Sequence, residues 1–211
     1  MHTMKKIFGI LLLMVLVGSC EPEVLFDQPQ PPKSVNLKNI PQRLRGTYLS
    51  KKDSGLLIIT ERTIYWTSNL KHKMPASKID SGYVLQGDSL VNMATHEKLP
   101  VKRMGDSILV EQKNSDTLFR MSTKNILRKF RGYYFLNKAY KKEWEVDKLS
   151  LSKGILTIGS ISTSEDLSKL NEIKETGADT ASHHLAPTRM QFRKFVKNNG
   201  FKETVEFEKV R

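Results

Sequence analysis

The sequence predicts a mainly β chain of α+β type. Antiparallel meander sheets fall into two similar halves, with two short helices in the second half and sandwich or barrel-like packing. Three observations carry that expectation. Runs rich in β-branched and aromatic residues, such as Leu56–Thr60 and Thr63–Thr67, recur between short polar breaks. Gly87-Asp88 and Gly105-Asp106 each put glycine at the first position of a two-residue turn, as a type II′ hairpin requires. Helical spacing surfaces only late, where Phe192, Phe195 and Val196 form an i, i+3, i+4 stripe.

The chain opens on a different kind of segment. Lys5 and Lys6 precede an apolar run, Ile7 to Val17, and the run closes on Val17-Gly18-Ser19-Cys20. Charge, a short apolar stretch and small residues in that order are the layout of an export signal. Eleven positions fall short of the roughly 20 needed to span a bilayer as a helix. This stretch resembles the signal peptide of a bacterial lipoprotein. The resemblance implies loss of residues 1–19 and lipidation of Cys20, the only cysteine in the 211 residues, as the new N-terminus. By the same resemblance, Glu21 in place of Asp leans towards the outer membrane, and Glu21, Glu23 and Asp27 faintly resemble the acidic run of surface-exported lipoproteins. A lone cysteine forms no internal disulfide, so stability rests on an ordinary core.

Losing Lys5 and Lys6 lowers the formal net charge from +13 to +11. Such a surplus favours anionic surfaces such as phosphate-rich lipid headgroups, acidic glycans or nucleic acid. Between Glu21 and Pro41 stand Pro22, Pro29, Pro31, Pro32 and Pro41, five of the eight prolines. Repeatedly fixed φ favours a polyproline spacer over residues 20–41, reaching up to roughly 60 Å.

Folding is expected to begin near Ile40. Leu44–Leu49 reads as a strand, and Glu61-Arg62 joins the next two as a hairpin turn. Lys71 to Ser77 reads as a polar loop. From Gly82 to Met121 a meander is expected, with Asn114-Ser115 as a third turn. Phe130-Arg131-Gly132-Tyr133-Tyr134 echoes Leu44-Arg45-Gly46-Thr47-Tyr48, and the segments Leu149–Ile158 echo Leu57–Trp66. Two related halves, 42–125 and 126–211, follow from these echoes. The Gly-x-Tyr strand starts and the meander resemble calycin-type barrels at the level of fold. In the second half, Ser164 caps a helix bearing Leu167, Leu170 and Ile173, with Gly177 as its stop. Pro187-Thr188 opens another, where Thr188 and Gln191 have capping-box spacing. Phe201 to Val210 alternates as a closing strand.

Chemistry-bearing motifs are scarce. His183-His184 with Asp179 matches no zinc spacing, so no metal site is expected. There is no Gly-x-Ser-x-Gly elbow and no glycine-rich phosphate loop, and no pair of acids stands out for glycoside hydrolysis. His72 and His96 are isolated, and Trp66 and Trp144 read as half-buried core. Arg189, Arg193, Lys194 and Lys197 lie opposite the phenylalanine stripe and are the candidates for contact with an anionic surface. Neither a catalytic residue nor a cofactor is expected, and no nucleic acid. The expectation is a membrane-anchored envelope lipoprotein of non-catalytic type, held at the outer membrane on its periplasmic or outer side. It would be a binding or accessory module for an anionic lipid, glycan or envelope protein. The alternatives are a barrel carrier of a small hydrophobic ligand and an envelope hydrolase.

Overall fold

The computed structural model of the chain describes residues 24–172 and 184–210. Among them the protein is mainly β, as the turn and strand signals indicate. Up to residue 120 come β1 (Leu25–Phe26), β2 (Gly46–Ser50), β3 (Leu56–Ile59), β4 (Thr63–Pro75), β5 (Tyr83–Gln86), β6 (Ser89–Asn92), β7 (Lys98–Met104) and β8 (Ser107–Arg120). After it come β9 (Asn125–Phe130), β10 (Tyr133–Tyr140), β11 (Glu143–Ser152), β12 (Ile155–Ser160), helix α1 (Ser164–Asn171), β13 (His184–Leu185), helix α2 (Arg189–Lys197) and β14 (Glu203–Lys209).

These strands join one continuous ladder in the order β13-β1-β11-β12-β14-β2-β3-β4-β8-β7-β6-β5, with β10 on the other edge of β11 and β9 beyond it. All these pairings are antiparallel apart from β1 with β13. The sheet curls without closing. Tyr48, Leu57, Ile59, Ile64, Phe119, Leu127, Tyr134, Leu136, Leu149, Leu156 and Phe207 come from nine strands and share one core, so the two ends of the curl face each other. No ladder joins β9 to β3. Residues 36–40 fill that seam instead, where the Leu37 N–H donates to the Leu127 carbonyl and the Ile40 N–H to that of Glu61, both at 2.8 Å. Arg45 covers the end of the sheet, its Nε donating to the Ile40 carbonyl at 2.8 Å.

A second core lies on the opposite face of β10 and β11. Phe135 and Val146 point that way because side chains alternate along a strand. Against them pack Phe26, Leu170, Leu185, Phe201 and the predicted stripe Phe192, Phe195 and Val196. The Phe192 ring meets Phe135 at 5.1 Å and Phe26 at 6.2 Å, both edge-on, the geometry that aromatic quadrupoles favour. The expected capping box of α2 is present. The Gln191 N–H donates to the Thr188 hydroxyl, and the Gln191 side chain accepts from the Thr188 N–H. The cap of α1 lies one residue before the predicted one, because Thr163 rather than Ser164 accepts from the Asp166 N–H. The stop proposed for α1, with Ile173 and Gly177, lies outside the described residues, as do Cys20 and the signal segment.

A third, smaller cluster of Leu90, Val101, Ile108 and Val110 holds β5 to β8 together at the far end of the strand order. Here Gly87 has φ 58° and Gly105 φ 62° in the two-residue turns, with no positive φ at Asp88 or Asp106, as type II′ needs.

Four expectations need correction. Residues 24–41 do not form a free spacer. Val24, Leu25 and Phe26 are buried, and Phe26 pairs with Trp144. The stretch 27–33 runs through bends and a turn outside any ladder, so its main-chain groups are available to side chains of the body. Arg128 Nη1 takes the Pro29 and Pro31 carbonyls. The fully buried Asn137 accepts from the Gln30 N–H and donates to the Gln30 carbonyl. Next, Lys71–Pro75 is strand rather than loop, and Asn114-Ser115 is no turn. Over Thr63–Pro75 and Arg120–Ser107, β4 and β8 satisfy each other's ladder in a long ribbon, with Ser68 opposite Asn114. Last, the two Arg-Gly pairs have different backbones. Gly46 begins β2 at φ 137°, whereas Arg131-Gly132, at φ 51° and 86°, is a type I′ turn between β9 and β10.

Candidate cationic recess on helix α2

The turn that replaces the expected strand start has a consequence for α2. Two residues with positive φ reverse the chain so tightly that Arg131 stands at the tip of the β9–β10 hairpin, beside Phe130. Phe130 is half-buried and packs on the second core with its other side. Helix α2 lies over that core because its phenylalanine stripe is buried, so its polar face turns outward beside the hairpin. Arg189 and Arg193 are one helical turn apart on that face.

The result is a recess of about 310 Å³, open to solvent and lined by Phe130, Arg131, Arg189, Met190 and Arg193. The Arg189 guanidinium lies 5.2 Å from the centre of the Phe130 ring and that of Arg131 lies 6.0 Å from it, cation–π placements worth about 0.5–1 kcal/mol each at exposed sites. Those contacts hold the guanidinium planes near the ring without using their N–H donors. Among the described residues none of the three arginines has an ion-pair partner. Met190, 78 % exposed, adds an unbranched apolar arm at the rim. Three donors of positive charge around an aromatic floor suit an anionic group carried on an apolar body, because guanidinium forks match phosphate and carboxylate oxygens.

The structure thus brings Arg189 and Arg193 together with Arg131. Lys194 and Lys197 are exposed on the same helix but do not line the recess. Phe130 and Met190 are not singled out as site residues by the sequence, and Arg131-Gly132 reads there as a strand start rather than a site. The signal was there for Arg131, since Arg-Gly flanked by Phe130 and Tyr133 is also a hairpin turn of the αL-αL kind.

A second recess, of about 490 Å³, follows the seam of the curl and is lined by residues that include Leu37, Lys38, Asn39, Arg62 and Asn125. It too is open to solvent. The inside of the curl holds large side chains, with Tyr48 and Tyr134 fully buried.

One cluster of charges is partly enclosed. Lys138 Nζ on β10 bridges Glu145 at 2.9 Å and Asp147 at 3.0 Å on β11. Burial pushes the Asp147 carboxyl above its ordinary range, with Glu145 adding to the rise and Lys138 opposing it. Burial acts to lower the Lys138 ammonium, but the two carboxylates outweigh it and hold it above the usual lysine value. Neither recess is lined by these three side chains.

The remaining candidates are placed as follows. Trp66 is partly buried against the first core, its ring 6.0 Å from Phe207, and Trp144 is partly buried against the second. His72 is exposed on β4, and His96 sits in a turn at φ 57°. Asp179 and His183 lie outside the described residues; His184 is placed by its main chain alone, beside Leu25. Among the described residues there is no group of three or more His, Cys, Asp or Glu able to hold a metal. No helix among them is long and apolar enough to cross a membrane. The chain matches no protein-family model, no curated protein and no solved structure.

Proposed function

We propose that the protein is an envelope lipoprotein, anchored through Cys20 at the outer membrane, that works as a non-catalytic binding or accessory module for an anionic amphiphile. The observation that carries this reading is the recess in which Arg131, Arg189 and Arg193 surround Phe130 and Met190. The +11 balance of the chain after Cys20 supports it, since a cationic surface concentrates anions before any specific contact forms. Basic residues near an anionic surface are worth about 1 kcal/mol each, so the three arginines together account for affinity on the order of a hundredfold.

The test is calorimetric titration of the full chain, in an uncharged detergent, with a phosphate-bearing amphiphile such as dodecyl phosphate. Wild type should bind it and ignore an uncharged analogue of the same chain length. The triple variant Arg131→Ala, Arg189→Ala, Arg193→Ala should lose on the order of a hundredfold. Equal binding of charged and uncharged amphiphiles, or a triple variant as tight as wild type, would reject the recess as the site.

A further inference from the structure

We infer that the body lies against the leaflet holding its own anchor, with the arginine face of α2 on phosphate-bearing lipid headgroups. This rests on the anchored reading above and adds to it the partner and the orientation. Three placements carry the argument. Cys20 is four residues before Val24, and Val24 is buried in the second core. Four extended residues span at most about 14 Å, so an anchored body is held close to the lipid rather than at the end of a long arm. The point of attachment is also beside α2. Leu25 and Phe26 pair with His184 and Leu185, three residues before the Thr188 cap, and the Phe26 ring touches Phe192 on the helix itself.

The face brought down in this way has the matching chemistry. Arg131, Arg189 and Arg193 have no ion-pair partner among the described residues, and Lys194 and Lys197 extend the positive stripe along the helix. Together they outnumber Glu21 and Glu23 of the leash. Met190 stands 78 % exposed among the arginines, where an apolar side chain can enter the boundary between headgroups and acyl chains. The phenylalanine face is committed to the second core, so contact is limited to the headgroup layer. Anchoring makes each arginine contact intramolecular in effect, and contacts too weak to bind a free protein then suffice to orient the body.

The experiment uses the acylated full chain reconstituted into vesicles whose lipids carry a nitroxide on the headgroup. Because Cys20 is the only cysteine and its thiol is acylated, one added cysteine gives a single fluorophore site. Ala186→Cys, exposed just before α2, reports the near face, and Asp88→Cys, in the β5–β6 turn, reports the far end of the strand order. On vesicles rich in phosphatidylglycerol the label at 186 should be quenched and the label at 88 should not. Arg189→Glu with Arg193→Glu, or replacement of the anionic lipid by phosphatidylcholine, should lower quenching at 186 towards the level at 88 while the chain stays on the vesicles, because the short leash keeps the body near the lipid but no longer fixes which face meets it. Equal quenching of both labels, or quenching at 186 that ignores the arginine reversal, would overturn the inference. So would loss of quenching on adding glycerol phosphate, which would assign the site to a soluble phosphate. Release of the wild-type chain from phosphatidylcholine vesicles, or absence of acyl mass on Cys20, would instead defeat the anchor on which the inference rests.

Discussion

Replacing Asn137 by alanine is the sharpest test of whether residues 24–41 belong to the folded body. The Asn137 side chain is fully buried and accepts from the Gln30 N–H, while its Nδ2 donates to the carbonyls of Gln30 at 3.0 Å, Phe135 at 3.1 Å and Ile126 at 3.2 Å. Phe135 and Ile126 are strand residues of β10 and β9, whereas Gln30, also fully buried, is tied to the body at this point by that side chain alone. Truncation leaves two main-chain groups of Gln30 unpaired, at about 1–3 kcal/mol each, or about 4 kcal/mol in all. That is a large part of the 5–15 kcal/mol typical of a domain. With a urea slope of about 2 kcal/mol/M, the unfolding midpoint should fall by about 2 M with the slope unchanged. Trypsin should also gain a cut at the exposed Lys33 under native conditions. A midpoint within about 0.3 M of wild type, with no new cut, would show that Asn137 does not hold the segment.

Two further perturbations probe the cores around the site. A Cβ on Gly200 would meet the Phe195 ring at 2.3 Å, so Gly200→Ala should overpack the second core, cost about 1–3 kcal/mol and show as a lowered urea midpoint; an unchanged midpoint would refute that packing. Asp147, raised by burial, contributes stability below the ordinary aspartate range near 3.9 that is lost as pH rises through its higher folded value. The stability of Asp147→Asn relative to wild type should therefore increase from pH 3.5 towards 7, measured by urea unfolding at each pH, and a flat difference would contradict the raised value.

What was legible in the sequence was local chemistry. The two Gly-Asp turns formed as read because glycine at the first turn position determines the hairpin within four residues. The capping box at Thr188 and Gln191 likewise needs no distant partner, and it fixed α2 and the buried face of its stripe. What depended on distant partners was not legible. Proline spacing alone describes a spacer, yet Gln30 and Asn137 are 107 residues apart, and nothing near Pro29 announces that Arg128 will take its carbonyl. The β4–β8 ribbon was cut short for a similar reason. On β4, Asn69 to Lys73 are all exposed, so that strand lacks a sustained apolar alternation there, and only the ladder with β8 keeps it extended. The recess followed the same division. Arg189 and Arg193 were evident from helical spacing, whereas Arg131 joins them only once the hairpin is folded against α2.

In the reading proposed for this protein, lipid on one thiol, a few residues from the body, holds the β structure to a membrane. The mass of the N-terminal peptide of the protein isolated from membranes tests it most directly. The expected peptide begins at Cys20 and carries the mass of a diacylglyceryl group there. A peptide beginning at any other residue, or Cys20 recovered as a free thiol within an uncleaved N-terminus, would contradict it.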